Sequence, residues 1–318
     1  MVGFDPKESV QLSTLEFSCA GVCSGVLTRL IVQPLDVLKI RFQLQVDPLR
    51  RQLGKYHGVW QAVRLIRKEE GVFAFWKGHI PAQLLSVTYG LVQFASYELM
   101  TRLCYASFPR AYEAGWLPVI SFACGGLSGV AATVTSLPLD VTRTRLVAQG
   151  EPKIYKNARG ALVSVYRQEG FLALYKGFVP TTLLIAPQAG FQFCFYTAQV
   201  QAWRRLRSEE KDSPGPLCSL VFGCVAGIGA KTLVYPLDFL KKRLQVVGFE
   251  EARRPFGTVH RYSGLINCVQ TVCRVEGLSG MYKGLWPSVL KAAVSSGSTF
   301  MVYEQTCHLL RWIKAKEA

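Results

Sequence analysis

One stretch occurs three times in the chain, and that repetition limits its fold more than any other feature. The copies read QPLDVLKIRFQ from Gln33, LPLDVTRTRLV from Leu137 and YPLDFLKKRLQ from Tyr235. Each reduces to Pro, one residue, Asp, two residues, Lys or Arg, one residue, Lys or Arg. The prolines, Pro34, Pro138 and Pro236, stand 104 and 98 residues apart. So long a period exceeds the roughly 20–50 residues of a solenoid unit and points to three copies of a small folded module. Each copy ends an apolar run of about helical-span length, and its Asp and first basic residue lie three apart, on one helix face. A proline inside a helix removes a backbone hydrogen bond and bends the helix. A membrane tolerates this where neighbouring helices satisfy the freed groups. Three bent helices, each presenting a carboxylate and a cation at one depth, can close into a ring of ion pairs. A single copy is explained equally well as a surface pair; three copies in matching context are not.

The register extends in both directions. Gly21 and Gly25, Gly125 and Gly129, and Gly223 and Gly227 stand 13 and 9 residues before their prolines. Each pair is a GxxxG, which predicts close helix approach in lipid. These segments predict helices over about 13–43, 117–147 and 216–246. A polar loop follows each. Then come YHGVWQAVRLIRKEEG from Tyr56, YKNARGALVSVYRQEG from Tyr155 and YSGLINCVQTVCRVEG from Tyr262. Their apolar residues recur every 3–4 positions, the pattern of a short amphipathic helix at an interface. EGVFAFWKG, EGFLALYKG and EGLSGMYKG come next, and apolar helices are predicted over about 79–105, 178–205 and 285–312. An aromatic ring, a lysine and a glycine at a helix start suit a phospholipid headgroup.

Composition agrees with six membrane spans. Half of the 318 residues are hydrophobic and 18% are charged, below the roughly 25% usual for soluble proteins. No segment shows the clean run of about 20 apolar residues of a simple span, so the helices are expected to line a polar interior. Of the 37 Lys and Arg, 24 lie within 39–77, 143–176 and 241–283. This places the three long loops on one side and both termini on the other. The net charge of +16 fits an anionic lipid or substrate; no nucleic-acid-binding motif accompanies it. The ten cysteines form no CxxC and no zinc spacing and are expected to be small buried apolar residues. The four histidines, His57, His79, His260 and His308, are unpaired, and no nucleophile–base set appears, so neither an enzyme nor a metal site is expected. The N-terminal MVGFDPKESVQ resembles neither a signal nor a transit peptide.

These blocks resemble the mitochondrial carrier family, whose signature P-x-[DE]-x-x-[KR]-x-[KR] followed by [DE]-G-x4-[WYF]-[KR]-G stands intact in all three thirds. The resemblance implies an all-α membrane protein with six tilted transmembrane helices in a threefold pseudosymmetric bundle and three short matrix helices. Its repeats would span 13–105, 117–206 and 215–312. It further implies a multi-pass protein of the mitochondrial inner membrane, working by alternating access, and threefold closure within one chain lets it work as a monomer. The stretches MVGFDPK, FWKGHIPAQLLS and QGEPKIYKN carry a closer likeness within the family. That likeness implies thiamine pyrophosphate as substrate, exchanged for nucleotides or other thiamine phosphates.

Carried over residue by residue, the matrix gate pairs each acid with the base of the next repeat: Asp36–Arg143, Asp140–Lys241 and Asp238–Lys39. Gln43 and Gln245 stand at the bracing position, and Val147 leaves the second repeat without a brace. On the opposite side Tyr97-Glu98, Tyr196 and Tyr303-Glu304 lack the basic partners of the family motif, so that gate is degenerate. Gly78, Gly177 and Gly284 mark the expected cardiolipin sites, with Asn157 replacing the usual glycine of the YxG form. The family's substrate contacts fall on Leu85, on Leu184 with Ile185, and on Lys291. Arg29 and Lys231 each lie five residues before their proline, where the middle repeat has Thr133. A charge inside a span is costly and by default functional. Cations of this kind suit a diphosphate, and Leu85, Leu184 and Ile185 offer an apolar shelf for rings, with Gln83 or Gln188 as amide partners. The same chemistry would serve a carrier of nucleotides or another phosphorylated cofactor. A third reading is a carrier-derived scaffold, against which three complete gate motifs speak.

Overall fold

The computed structural model describes residues 14–46, 55–107, 117–150, 153–207, 216–256 and 259–317, and no strand occurs among them. The long helices are α1 (Thr14–Leu44), α3 (His79–Ser107), α4 (Leu117–Ala148), α6 (Phe178–Arg207), α7 (Pro216–Gln245) and α9 (Leu285–Glu317). Between the members of each pair lies a short one: α2 (Val59–Glu70), α5 (Ala158–Glu169) and α8 (Leu265–Val275). At about 1.5 Å per residue, the long helices exceed the roughly 30 Å hydrocarbon core of a bilayer. Segments Cys19–Leu44, Ile120–Ala148 and Phe171–Trp203 are long and apolar enough to cross by composition alone. The N-terminal residues 1–13 lie outside the described residues.

The second long helix of each repeat packs on the first of the next: α3 on α4, α6 on α7, and α9 back on α1. The six therefore form a closed ring. Pro34, Pro138 and Pro236 lie inside α1, α4 and α7. Burial changes at the same level: between Gly21 and Ile31 only Ser24 and Thr28 are buried, whereas most residues from Val32 to Val46 are. Helices α1, α4 and α7 thus converge beyond their prolines and splay before them, forming a cup. Its outer wall is apolar, with Leu91, Phe94, Phe122 and Phe193 exposed. Its closed base is polar: Arg145 and Arg243 are among the largest fully buried side chains.

Two expectations change here. Of the six GxxxG glycines only Gly129 has a close neighbour, Ile185 Cγ2, at 3.1 Å from where a Cβ would stand; the other five face open space. Neighbouring helices meet at that level through other faces: Ser24 bonds the Thr299 carbonyl, and Cys124 lies against Cys104. Among the cysteines only Cys124, Cys268 and Cys307 are buried, and Cys19, Cys23, Cys194 and Cys224 are exposed on the bundle's flanks. Lipid accepts a thiol as readily as a core does.

The short helices lie against the base, each burying two residues: Ala62 and Ile66, Ala161 and Val165, Cys268 and Val272. Asn157 explains its own departure from the motif, since its Oδ1 accepts the Gly160 N–H at 2.7 Å and caps α5.

Candidate functional site

The convergent ends of α1, α4 and α7 bring three acids and their neighbours together. Arg143 meets Asp36 Oδ2 at 2.5 Å, Lys241 meets Asp140 Oδ2 at 2.8 Å, and Lys39 meets Asp238 Oδ2 at 2.6 Å. Two pairs carry an amide brace. Gln245 Nε2 donates to Asp140 at 2.8 Å, and Gln43 Nε2 donates to Asp238 at 3.3 Å and to the Tyr235 hydroxyl at 3.0 Å. The first pair has Val147 at the bracing position, buried among Val37, Ile40 and Leu44. Lys291 from α9 takes the remaining oxygen of Asp36 instead, at 2.5 Å.

A second tier lies beneath. The last basic residue of each signature, Arg41, Arg145 or Arg243, holds the glutamate that closes its own short helix: Glu70, Glu169 or Glu276. The same glutamates accept Lys77, Lys176 and Lys283 at 2.5–2.6 Å. These lysines are therefore turned to the glutamates beneath the bundle. Each arginine also caps the next repeat: Arg41 Nε donates to the Val147 carbonyl, Arg145 to that of Gln245, and Arg243 to that of Gln43. These are carbonyls that a helix C-terminus leaves open. Burial alone would raise the Glu70 carboxyl, yet Arg41 and Lys77 hold it below its ordinary value; Arg145 and Lys176 do the same for Glu169. Arg253, in the turn Glu251–Phe256, is buried and donates to the Leu44 carbonyl. Burial brings its guanidinium down to about 10.

Above the ion pairs lies a cavity of about 300 Å³, whose floor is the three acids with Lys39, Arg143 and Lys241. Leu85, Tyr89 and Lys291 line it too. An adjoining hollow of about 430 Å³ contains Arg29, Gln83 and Ser86, and Asp36 and Lys291 border both.

A family model described as mitochondrial carrier protein matches residues 10–107, 116–205 and 212–314. The chain belongs to the mitochondrial carrier family. It is similar to the mitochondrial thiamine pyrophosphate carrier of Bos taurus, at 49% identity over 100% of both chains. The Homo sapiens protein of that name is 48% identical over 97% of each, and the mitochondrial thiamine diphosphate carrier 2 of Zea mays 35% identical over 99% of each. Family members are transporters, and the chain is accordingly a mitochondrial membrane protein.

Within this carrier the expected contact residues divide. Leu85 and Lys291 share the deep cavity, and Arg29 joins Lys291 in the adjoining one, where it donates to Ser86 Oγ. Lys231 lines neither and donates to the Ser288 carbonyl at 3.2 Å. Leu184 and Ile185 are half-buried on α6, Ile185 against Gly129. Gln83 is engaged with the Val26 carbonyl at 3.1 Å, and Gln188 is exposed. Two further side chains emerge. Tyr89 stands one helical turn from Leu85, the spacing that could have revealed it. Lys242 occupies the variable slot of the signature, held by Ile40 and Thr144 in the other copies. It meets Asp140 Oδ1 at 2.9 Å and Thr144 Oγ1 at 3.0 Å.

Gly78, Gly177 and Gly284 all have positive φ, a backbone form that glycine adopts without strain. A Cβ on Gly78 would lie 3.2 Å from the Arg143 carbonyl, on Gly177 3.2 Å from that of Lys241, and on Gly284 3.1 Å from that of Lys39. Two clefts of about 280 Å³ open beside these contacts. One joins Gly177 and Phe178 at the start of α6 to Gly264 and Leu265 at the start of α8. The other joins Gly78 and His79 at the start of α3 to Asn157 and Ala158 at the start of α5. Each brings two helix N-termini to one hollow, an arrangement that attracts anions.

Proposed function

We propose that this carrier moves thiamine pyrophosphate across the mitochondrial inner membrane, exchanging it for nucleotides or other thiamine phosphates. The relatives named as carriers of this compound align along essentially the whole chain. The observation that carries the reading is the charge of the cavity floor. Asp36, Asp140 and Asp238 face five cations there: Lys39, Arg143, Lys241, Lys242 and Lys291. The surplus suits an anion, and Arg29 adds to it in the adjoining hollow. Leu85 and Tyr89 supply an apolar edge and a ring face for a heterocycle.

The mechanism follows from shared partners. A diphosphate entering the open mouth competes with Asp36 for Lys291 and Arg143. Each contact it takes weakens the pairing that holds the base shut, and the ion pairs re-form once the anion has left on the other side. The base is assigned to the matrix, because the loops carrying most Lys and Arg lie there. Arg29, Lys291 and Leu85 are the proposed first contacts, with Lys231, Leu184 and Ile185 engaged as the helices move. Cardiolipin is the proposed occupant of the clefts beside Gly78 and Gly177 and of the equivalent position at Gly284. A single chain closes the ring, so the working unit is a monomer.

Uptake of labelled thiamine pyrophosphate into liposomes, with thiamine pyrophosphate, ADP or nothing inside, tests this. Exchange of thiamine pyrophosphate supports the reading. Exchange of ADP alone would reassign the protein as a nucleotide carrier. No exchange with either would support the scaffold.

A further inference from the structure

The three joints between repeats are equivalent in register but not in chemistry. Seven residues beyond Tyr97, Tyr196 and Tyr303 stand Cys104, Trp203 and Leu310. Fourteen residues before Pro138, Pro236 and Pro34 stand Cys124, Phe222 and Ala20. Trp203 packs edge-on against Phe222 with ring centroids 5.8 Å apart, and Leu310 packs on the cluster of Ala20 and Cys307. At the joint of α3 and α4 the same two positions are sulfurs, Cys104 Sγ and Cys124 Sγ, 3.8 Å apart. Both are free thiols.

We infer that Cys104 and Cys124 form a reversible disulfide that staples the first repeat to the second at the mouth of the cavity. A disulfide needs about 2.05 Å between sulfurs. The thiols already touch, so the bond requires only a small approach of two helices in contact. Cys104 is the more exposed of the two and reacts first. Its thiolate attacks a small-molecule disulfide such as oxidised glutathione and releases one glutathione thiolate, giving a mixed disulfide. The Cys124 thiolate then attacks the Cys104 sulfur and releases the second glutathione. Two protein thiols are oxidised, one external disulfide is reduced, and the two protons pass to the departing glutathiones.

The consequence for transport rests on the alternating-access reading. Closing the mouth while the base opens requires neighbouring repeats to shift against each other. Two of the joints are non-covalent contacts and can slide; a bond at the third fixes the mouth as it is. The oxidised carrier is held open at the mouth, and thiol reduction releases it.

The sequence supplies a direct assay. Trypsin cleaves after Arg102, Arg110 and Arg143, so Cys104 and Cys124 fall on separate peptides, 103–110 and 111–143, each with one cysteine. The full-length protein in liposomes is treated with oxidised glutathione, blocked with N-ethylmaleimide, denatured and digested. The two peptides should appear joined, two hydrogens lighter than their sum, and separate after dithiothreitol. Uptake should fall in proportion to the joined fraction and recover on reduction. Cys104→Ser and Cys124→Ala should keep full uptake under oxidant; the latter copies Ala20 of another joint. Absence of the joined peptides overturns the site, and joined peptides with undiminished uptake overturn the lock. Because the peptides are read without substrate and ADP uptake is followed in parallel, a wrong substrate assignment would register separately.

Discussion

Lys291 Nζ and Arg143 share the carboxylate of Asp36, one on each oxygen. The acid comes from the first repeat, the arginine from the second and the lysine from the third, so this one group ties all three together. Lys291 also supplies the second contact that Gln43 and Gln245 give the other two acids. Lys291→Ala is therefore expected to weaken thiamine pyrophosphate and ADP alike. A contact with an ionised partner contributes about 1.5–3 kcal/mol, which predicts a loss of roughly 10- to 150-fold in affinity. Thiamine, with no phosphate, should lose little. Competition by thiamine, its mono- and diphosphate and ADP measures this, and equal losses for all four would make Lys291 purely structural.

Reversal of charge tests the order of the ring. Asp36→Lys alone should abolish exchange, and adding Arg143→Asp should restore part of it. Equal rescue by Lys241→Asp in place of Arg143→Asp would contradict the observed neighbours.

Glu70 tests the second tier. Its side chain is 2% exposed and bonded to both Arg41 and Lys77. Glu70→Gln takes the carboxylate from the buried Arg41 and the half-buried Lys77, and breaking a buried pair costs about 3–5 kcal/mol. The carboxyl is held below its unfolded value. Its stabilisation is thus full above about pH 4.3 and is lost as pH falls through the lower folded value. The melting temperature in detergent should drop on substitution at neutral pH, and wild type and variant should converge in acid. A gap unchanged at low pH would rule out the carboxylate as the cause.

Glycine substitutions separate backbone strain from space. Gly177→Ala must hold a side chain at φ +87° against the Lys241 carbonyl, at a cost of about 1–3 kcal/mol. Gly190, inside α6, faces open space, and Gly190→Ala should be neutral or gain up to about 1 kcal/mol. Thermal unfolding of both distinguishes them; equal effects would mean that neither contact nor φ matters at Gly177.

Cardiolipin should raise the melting temperature more than phosphatidylcholine does. Gly78→Ala and Gly177→Ala, at the two clefts, should shrink that difference. Replacing Lys77, Lys176 and Lys283 would instead lower stability in either lipid, because those ammonium groups pair with Glu70, Glu169 and Glu276.

The long helices were legible because each carries its own boundaries in register, and their observed starts lie within a residue or two of the expected ones. The second tier was not. Its arginines and glutamates all belong to the signature, but pairing them requires the turn at Gly71 or Gly170 to fold the glutamate back beneath its own long helix. Lys242 was hidden for another reason: the repeat assigns that slot to no residue type, so only its position beside Asp140 gives it meaning. The glycine pairs misled because a GxxxG permits close approach without requiring it, and here the helices meet through faces beside the glycines, at Ser24 and Cys124.

The joint between α1 and α9 has a consequence for biosynthesis. Ser24 donates to the Thr299 carbonyl at 2.7 Å across 275 residues of chain, and Arg243 reaches Gln43 across 200. The first helix must therefore enter the bilayer with Lys39 and Asp36 lacking their distant partners, and wait while almost the whole polypeptide is made. An insertion intermediate arrested before α9 would leave Asp36 without Lys291 and Ser24 without Thr299, along an unsealed flank. Quality control in the membrane would have a clear mark by which to know an unfinished molecule.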